Sequence, residues 1–433
     1  MVKPITLLIN QMLTAGQFPL ELKKSKVKPL FKNGDNTLFS NYRPISLLPS
    51  ISKIFEYVIF HQLMEYFTAH KLFSMQQFGF RPGHSTELAS LRLVDHLTKE
   101  MDNKKIPINI YIDLSKAFDT IDHNILLSKL KYYGVHGREY DLFQDYLSNR
   151  CQYVEYNGSI STTRSITTGV PQGSILGPLL FIIYINDLPS VSNLFDMLIY
   201  ADDTTLICNL DEVLDESTLN MELNNIHGWM SSNKLSLNIK KTKYMIFHTK
   251  QRHVIYPSLN INNVKIERVT QFNFLGLILS SQLSWKNHIQ FISNKISKVI
   301  GVLYRLKDVY PQSVLLMLYN SLILSHINYC LLSWGSGIVN DHPIHLLQKK
   351  ALRLVSNSDY VSHSEIICKN YRLLKVPDMF RFNLWKFYFK LMNNTLPTYF
   401  DTVKPVLPQI CNYYEVRVPY FHLPGIKHRF AEH

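Results

Sequence analysis

Three aspartates constrain this chain more than any other feature. Ile106-Pro-Ile-Asn-Ile-Tyr-Ile-Asp113 is short, β-branched and alternating, the pattern of a strand, and it ends in a carboxylate. Asp202 and Asp203 lie between two further β-like runs, Met197 to Tyr200 and Thr204 to Cys208. Side chains alternate along a strand, so a strand end and a hairpin turn can bring such residues to one point. Like charges that close repel and shift each other's pKa unless cations neutralise them. An oxygen-only cluster selects Mg²⁺, which keeps waters and completes its shell with substrate phosphates. Two such ions about 4 Å apart would activate a 3′-hydroxyl and stabilise a leaving pyrophosphate. Each piece alone has a plainer reading: an Asp-Asp pair is usually a solvated turn, and a strand-final Asp a cap. The surroundings decide.

Those surroundings read as an α+β chain. Ile51 to Phe67 and Thr86 to Met101 carry apolar residues at three- and four-residue steps, as amphipathic helices do. A helix is expected from about His123 to Asn149, then a hairpin centred on Gly158 and a helical Leu179 to Ile185. A helix at Leu219 to Met230 and a strand at Tyr244 to His248 follow. After about Leu283 helical periodicity dominates to Asn394, and the tail is rich in Pro and Tyr. No charged residue occurs between Asp308 and Asp341, but Asn320, Ser321, Ser325, His326 and Asn328 interrupt the apolar residues, so a buried helix is expected rather than a membrane span. The net charge of +13 on a chain with only 18% charged residues points to a polyanionic partner, nucleic acid or an acidic membrane surface. Basic clusters stand at Lys23 to Lys32, Lys240 to Arg252 and Lys349 to Arg353, and the 25 Tyr and 24 Phe offer stacking surfaces. Five scattered cysteines without a CxxC or Cys/His knuckle read as reduced thiols of an intracellular protein, nuclear or cytoplasmic and not secreted.

Seven ordered blocks together resemble the reverse transcriptases of non-long-terminal-repeat, jockey-like retrotransposons. They are Asn41-Tyr-Arg-Pro-Ile-Ser-Leu-Leu-Pro49, Gln77-Phe-Gly-Phe-Arg-Pro-Gly-His-Ser-Thr86, Ile112-Asp-Leu-Ser-Lys-Ala-Phe-Asp119 and Gly169-Val-Pro-Gln-Gly-Ser-Ile-Leu-Gly-Pro178. Tyr200-Ala-Asp-Asp-Thr204, Leu237-Asn-Ile-Lys-Lys-Thr242 and Phe274-Leu-Gly276 complete the set. Coverage runs from about residue 15 to 280, with weaker similarity through Asn328-Tyr-Cys330 and Leu346 to Arg353.

The resemblance implies a right-hand polymerase fold. Fingers would occupy residues 1–105 and palm 106–283. A helical thumb or extension would follow at 284–395, then the tail at 396–433. It also implies RNA-directed DNA synthesis with two Mg²⁺ ions (Mn²⁺ as a substitute), using an RNA template, a DNA primer or target and deoxynucleotides, away from membranes. Asp113, Asp202 and Asp203 match the family's catalytic, metal-holding carboxylates, and Phe118 the aromatic under the incoming sugar. Gln172 and Gly173 match the loop under the nucleotide, and Lys32 and Arg43 the cations on the triphosphate, with Lys28 competing for the place of Lys32. Lys241 matches a lysine that protonates the pyrophosphate, though Lys240 and Lys243 are adjacent. Leu275 and Gly276 match the turn that seats the primer end, a plain hairpin being the alternative, and Arg81 could pack or touch template.

The matching blocks begin almost at Met1, which leads to the expectation of a polymerase-only piece whose nicking activity comes from elsewhere. Two competing readings remain. One is a nucleic-acid-binding remnant without turnover. The other is a related palm polymerase, an intron maturase or an RNA-making enzyme, against which Phe118 argues by excluding a 2′-hydroxyl.

Overall fold

The computed structural model describes residues 2–212, 215–336, 342–359 and 361–403. Its centre is the strand expected from the alternating run. Pro107–Ile112 is buried at every position, because both faces of its sheet are covered. Ile108, Ile110 and Ile112 enter one apolar cluster together with Met197, Leu206 and Ile246. Tyr111 points the other way, with Leu198, Ile207 and Met245. The two-residue period of a strand thus divides the core into two layers. The helices His123–Tyr132, Leu176–Tyr184 and Glu216–Ser232 cover the first face, and Thr86–Asp102 covers the second.

The sheet order across neighbours is Glu267–Arg268, Lys243–Ile246, Pro107–Ile112, Asp203–Asn209 and Asp196–Tyr200. All pairs are antiparallel except the first. A second sheet lies in the N-terminal region. Lys24–Phe31 pairs antiparallel with Tyr42–Leu47 and parallel with Cys151–Tyr156. The α+β class is therefore as expected, and so is the helical region after the sheets. It opens with Lys286–Leu306 and packs around its own cluster, which includes Ile296, Tyr319, Trp334 and Leu352.

Three expectations need correction. The helix anticipated over 123–149 is two helices, His123–Tyr132 and Gly137–Leu147. Gly134, at φ 93°, takes the left-handed conformation just past the first helix, where a glycine ends a helix with little strain, and Gly137, at φ 58°, opens the second. The N-terminal region, for which only helices are expected, also holds two strands of the second sheet, the other three being Cys151–Tyr156, Ser159–Ile160 and Arg164–Ser165. The basic clusters are partly structural. Buried Lys23 pairs with Asp145 at 2.9 Å, Lys26 with Glu155, Lys243 with Glu267, and Arg252 with Asp211 at 3.0 Å. Lys23 is thereby committed to the fold, while the other three are partly exposed cations paired with a carboxylate.

The uncharged stretch after Asp308 forms Gln312–Tyr319, a wider π turn at Asn320–Leu324 and Ser325–Asn328. Leu315, Tyr319, Ile323 and Ile327 are buried while Ser321 and Ser325 face solvent. Among the described residues no helix is long and apolar enough to cross a membrane. Cys151, Cys330 and Cys368 are free thiols. Cys411 and most of the Pro/Tyr-rich tail lie outside the described residues.

Candidate active site

The carboxylates converge through strand register. Ile112 pairs with Thr204, so Asp113 emerges from the sheet beside Asp203. Tyr200 pairs with Asp203, which leaves Ala201-Asp202 as a two-residue hairpin turn with Ala201 at φ 56°. The Leu237-to-Thr242 block holds Asp113 from the side. The Asn238 N–H donates to the Asp113 carbonyl at 2.8 Å, and the Asp113 N–H donates to the buried Thr242 hydroxyl at 3.5 Å.

Charge follows from this crowding. Burial raises the Asp202 pKa, Asp113 raises it further, and Arg43 and Lys32 oppose the shift. Asp203 is pushed up to about 6, by burial first and then by Asp202 and Asp113. Its side chain still reaches solvent, so it stands on the open side of the aspartate turn. Lys32 and Arg43 are exposed at the end of the paired strands, where Leu30 faces Arg43 and the Lys32 N–H donates to Asn41 at 2.9 Å. The structure therefore brings together Asp113, Asp202, Asp203, Lys32 and Arg43.

The raised Asp203 has a measurable sign. Its folded state binds the proton more tightly than the unfolded chain, so its contribution to stability is complete below about pH 4 and lost as pH rises through about 6. In chelator, Asp203→Asn should melt higher than wild type at pH 7.5 and level with it at pH 4. Equal differences at both pH values in a thermal melt would contradict the crowding.

Other expected residues sit as follows. Phe118 is half-buried, 4.7 Å from the Phe181 ring and 6.5 Å edge-on from Phe80. The Gln172 side-chain amide donates to Asp119 at 2.8 Å, and the Gln172 main-chain carbonyl accepts from Ser46 N–H at 2.7 Å. A Cβ on Gly173, at φ 129°, would lie 2.4 Å from the Ser46 carbonyl oxygen, so only glycine lets the two chains approach this closely. Lys241 projects from an exposed turn bonded back to Asn238; the cations acting on Asp202 are instead Arg43 and Lys32. Leu275 and Gly276 form the two-residue tip of the hairpin Gln271–Phe274/Leu277–Ser280, where the Tyr329 hydroxyl donates to the Leu275 carbonyl at 2.6 Å. Arg81 packs. Its guanidinium donates to the Ser74 and Gln77 carbonyls and lies 5.1 Å over the Phe73 ring.

Two residues of the same block were not singled out by sequence. Gln77, 1% exposed, accepts at its Oε1 from Gly79 N–H at 2.7 Å and from Ala201 N–H at 3.1 Å. Phe78 N–H donates to the Ile199 carbonyl at 2.7 Å, and Ile199 N–H to the Gln76 carbonyl at 2.9 Å. Gly79 lies against the aspartate turn itself, since a Cβ there would stand 2.4 Å from Ala201 N. This loop braces the carboxylate hairpin from behind. The glutamine and glycine were visible in sequence, but their partner lies far along the chain.

Residues 23–279 match the family described as reverse transcriptase (RNA-dependent DNA polymerase), more than half of the chain. The chain belongs to the reverse transcriptase family. Its α+β right-hand fold and the jockey-like resemblance are thereby borne out. It is 27% identical over 404 residues to the RNA-directed DNA polymerase from mobile element jockey of Drosophila melanogaster, covering 90% of this chain and 43% of that protein. It is 29% identical over 377 residues to the probable RNA-directed DNA polymerase from transposon BS of the same species, covering 82% and 41%. This reverse transcriptase chain thus spans less than half the length of the curated relatives it matches. The solved structure of apo telomerase from Candida tropicalis aligns with a TM-score of 0.49 at 13% identity, covering 82% of this chain and 60% of that one.

Proposed function

We propose that this reverse transcriptase domain extends a DNA primer on an RNA template with deoxynucleotides. The observation that carries the reading is the convergence of Asp113, Asp202 and Asp203 under the charge of Lys32 and Arg43. Residues 1–105 would act as fingers, 106–283 as palm and 284–395 as thumb and extension.

The donor set fits Mg²⁺. Asp113, Asp202 and Asp203 offer hard oxygen donors along one edge of the sheet, and among the described residues no salt bridge neutralises them. Among those residues no three His, Cys, Asp or Glu side chains are placed to hold a metal ion between them, so the fit is one of donor chemistry: Mg²⁺ keeps waters and takes few protein ligands. Asp113 and Asp202 would hold two ions, with Asp203 at the rim. When bound, the ions supply Lewis-acid stabilisation of an in-line phosphoryl displacement.

The chain's own residues do the rest. Lys32 and Arg43 bind the triphosphate, Arg43 with parallel hydrogen bonds and Lys32 as a point charge. Lys241 protonates the departing pyrophosphate. Asp119 orients Gln172, whose loop shapes the floor under the nucleotide. The Leu275-Gly276 tip, held by Tyr329, seats the primer end. Phe118, backed by Phe181, closes the space beneath the sugar against a 2′-hydroxyl. Replacing Phe118 by Ala should relax the preference for dNTP over rNTP by about 10- to 100-fold. Competition between the two nucleotide classes in primer extension measures this, and undiminished ribonucleotide rejection would remove Phe118 as the gate.

The reading itself is tested by extending a DNA primer on an RNA template with Mg²⁺. Purified protein that binds RNA in a salt-sensitive manner yet incorporates nothing would select the silent, nucleic-acid-binding alternative.

A further inference from the structure

The Val376–Met392 helix has two unlike sides. Val376, Met379 and Leu391 are buried. On the other side Phe382, Trp385, Phe389 and Met392 follow one another at four- and three-residue steps and are 52%, 47%, 69% and 41% exposed. Exposed Arg381 lies along one flank of this row, and exposed Lys386 and Lys390 along the other. The Lys386 ammonium rests 5.6 Å over the Phe382 ring, and Trp385 meets Tyr388 edge-on at 6.2 Å. Asp378, the helix's single acidic residue, pairs with Arg381 at 3.6 Å, and Glu87 of the Thr86–Asp102 helix lies within the field of Lys386 and Lys390, leaving two lysines against one carboxylate on that flank.

A helix normally turns such residues toward a core, and a contiguous exposed apolar row marks an interaction face. The flanking charge decides the kind of partner. The centres of protein–protein interfaces are depleted in lysine, whereas ring faces between cations suit unpaired bases joined by phosphates. A duplex would offer phosphates but keep its base faces stacked inside. Phe382 to Phe389 spans about 10 Å along the helix axis, room for two or three bases. The helix is also anchored near the proposed site. Asn383 donates to Asn328 at 2.6 Å, and the next residue, Tyr329, holds the Leu275-Gly276 tip.

We propose that this face is a stacking platform for single-stranded nucleic acid, with Phe382, Trp385 and Phe389 under successive bases and Lys386 and Lys390 on their phosphates. The platform rests on the polymerase reading only for the source of the strand, the single-stranded RNA template, and tighter binding of the thymidine than of the uridine homopolymer would overturn that source.

The test uses the full chain and fluorescence anisotropy with labelled uridine and thymidine homopolymers, which distinguish RNA from DNA. Trp385→Ala and Phe389→Ala should each weaken binding about tenfold or more. Lys386→Ala with Lys390→Ala should lower the slope of log affinity against log salt by about 1.4, near 0.7 per lost contact. Single-nucleotide incorporation on a short primer–template should be unchanged in all three variants. The substituted side chains are exposed, so melting temperatures should stay at the wild-type value and show that the variants fold. Unchanged affinity and slope would overturn the platform. So would a dimer, seen by sedimentation, that Phe389→Ala dissolves without altering RNA affinity, since the face would then join two copies. If wild type incorporates nothing but the binding losses hold, the polymerase reading falls and the platform stands. If incorporation is robust and binding is unmoved, the platform alone falls.

Discussion

Asp202→Asn should lower nucleotide addition on an RNA-templated DNA primer by on the order of 10³-fold or more, because a bound metal contributes several kcal/mol to such a reaction and each 1.4 kcal/mol is a factor of ten. The substitution is nearly isosteric, and Asp202 is half-buried in a two-residue turn whose backbone the Gln77 clamp holds through Ala201. The turn should therefore keep its shape while losing one negative charge. Burial and Asp113 already raise the Asp202 pKa, so removing its charge relieves repulsion, and the metal-free variant should melt no lower than wild type. RNA affinity should also survive, since phosphate binding falls to cations elsewhere. The separation of these readouts gives the experiment its force. A variant that polymerises like wild type would end the catalytic assignment. One that loses RNA binding along with activity would mean that Asp202 supports the fold instead.

The parts of the fold legible in sequence are those whose cause is local. The Pro107–Ile112 strand could be read because β-branched residues alternate on two apolar layers, and the Thr86–Asp102 helix because its buried Ala89, Leu93, Leu97 and Met101 keep helical steps. The His123-to-Asn149 segment was read as one helix because Gly134 and Gly137 sit within an otherwise helical pattern, and only their backbone conformation shows the break. Lys24–Phe31 was missed as a strand since its buried Ser25 and Val27 are small and stand between lysines. Lys23 looked like a phosphate contact because its partner, Asp145, is distant in sequence.

The site divides in the same way. Asp113 and the Asp202-Asp203 pair were legible as chemistry only through the ordered blocks around them, since alone each reads as a cap or a solvated turn. What keeps them in place was not. Gln77, Gly79, Asn238 and Thr242 act through contacts with residues far along the chain, and their own sequence neighbourhoods carry no sign of it. A family resemblance marks such residues as belonging to a block. It does not say which one touches the aspartate turn.

Gly79→Ala should separate support from chemistry most sharply, with nucleotide addition falling about 100-fold in a residue that touches no substrate. The added Cβ would stand 2.4 Å from Ala201 N and 3.1 Å from its Cα, both backbone atoms that cannot swing aside. Retreat of the loop is opposed by the Phe78–Ile199 and Ile199–Gln76 backbone hydrogen bonds on one side and by the Gln77 side chain on the other. The hairpin carrying Asp202 and Asp203 must then shift, and a displacement near 1 Å in a reacting group costs about 100-fold. Overpacking of this kind destabilises by about 1–3 kcal/mol, so the melting temperature should fall by a few degrees without loss of the folded state. The loss should appear in kcat and leave the KM for nucleotide nearly unchanged, because Lys32 and Arg43 are carried by the other sheet. Gly228→Ala supplies the comparison. It lies within the Glu216–Ser232 helix with nothing within 4 Å of the new Cβ, so alanine there should be neutral or raise stability by up to about 1 kcal/mol. Wild-type kcat in Gly79→Ala would show that the loop merely lies beside the turn. A fall in kcat with the Gly228 variant unaffected would make the brace behind the aspartates part of what the reaction requires.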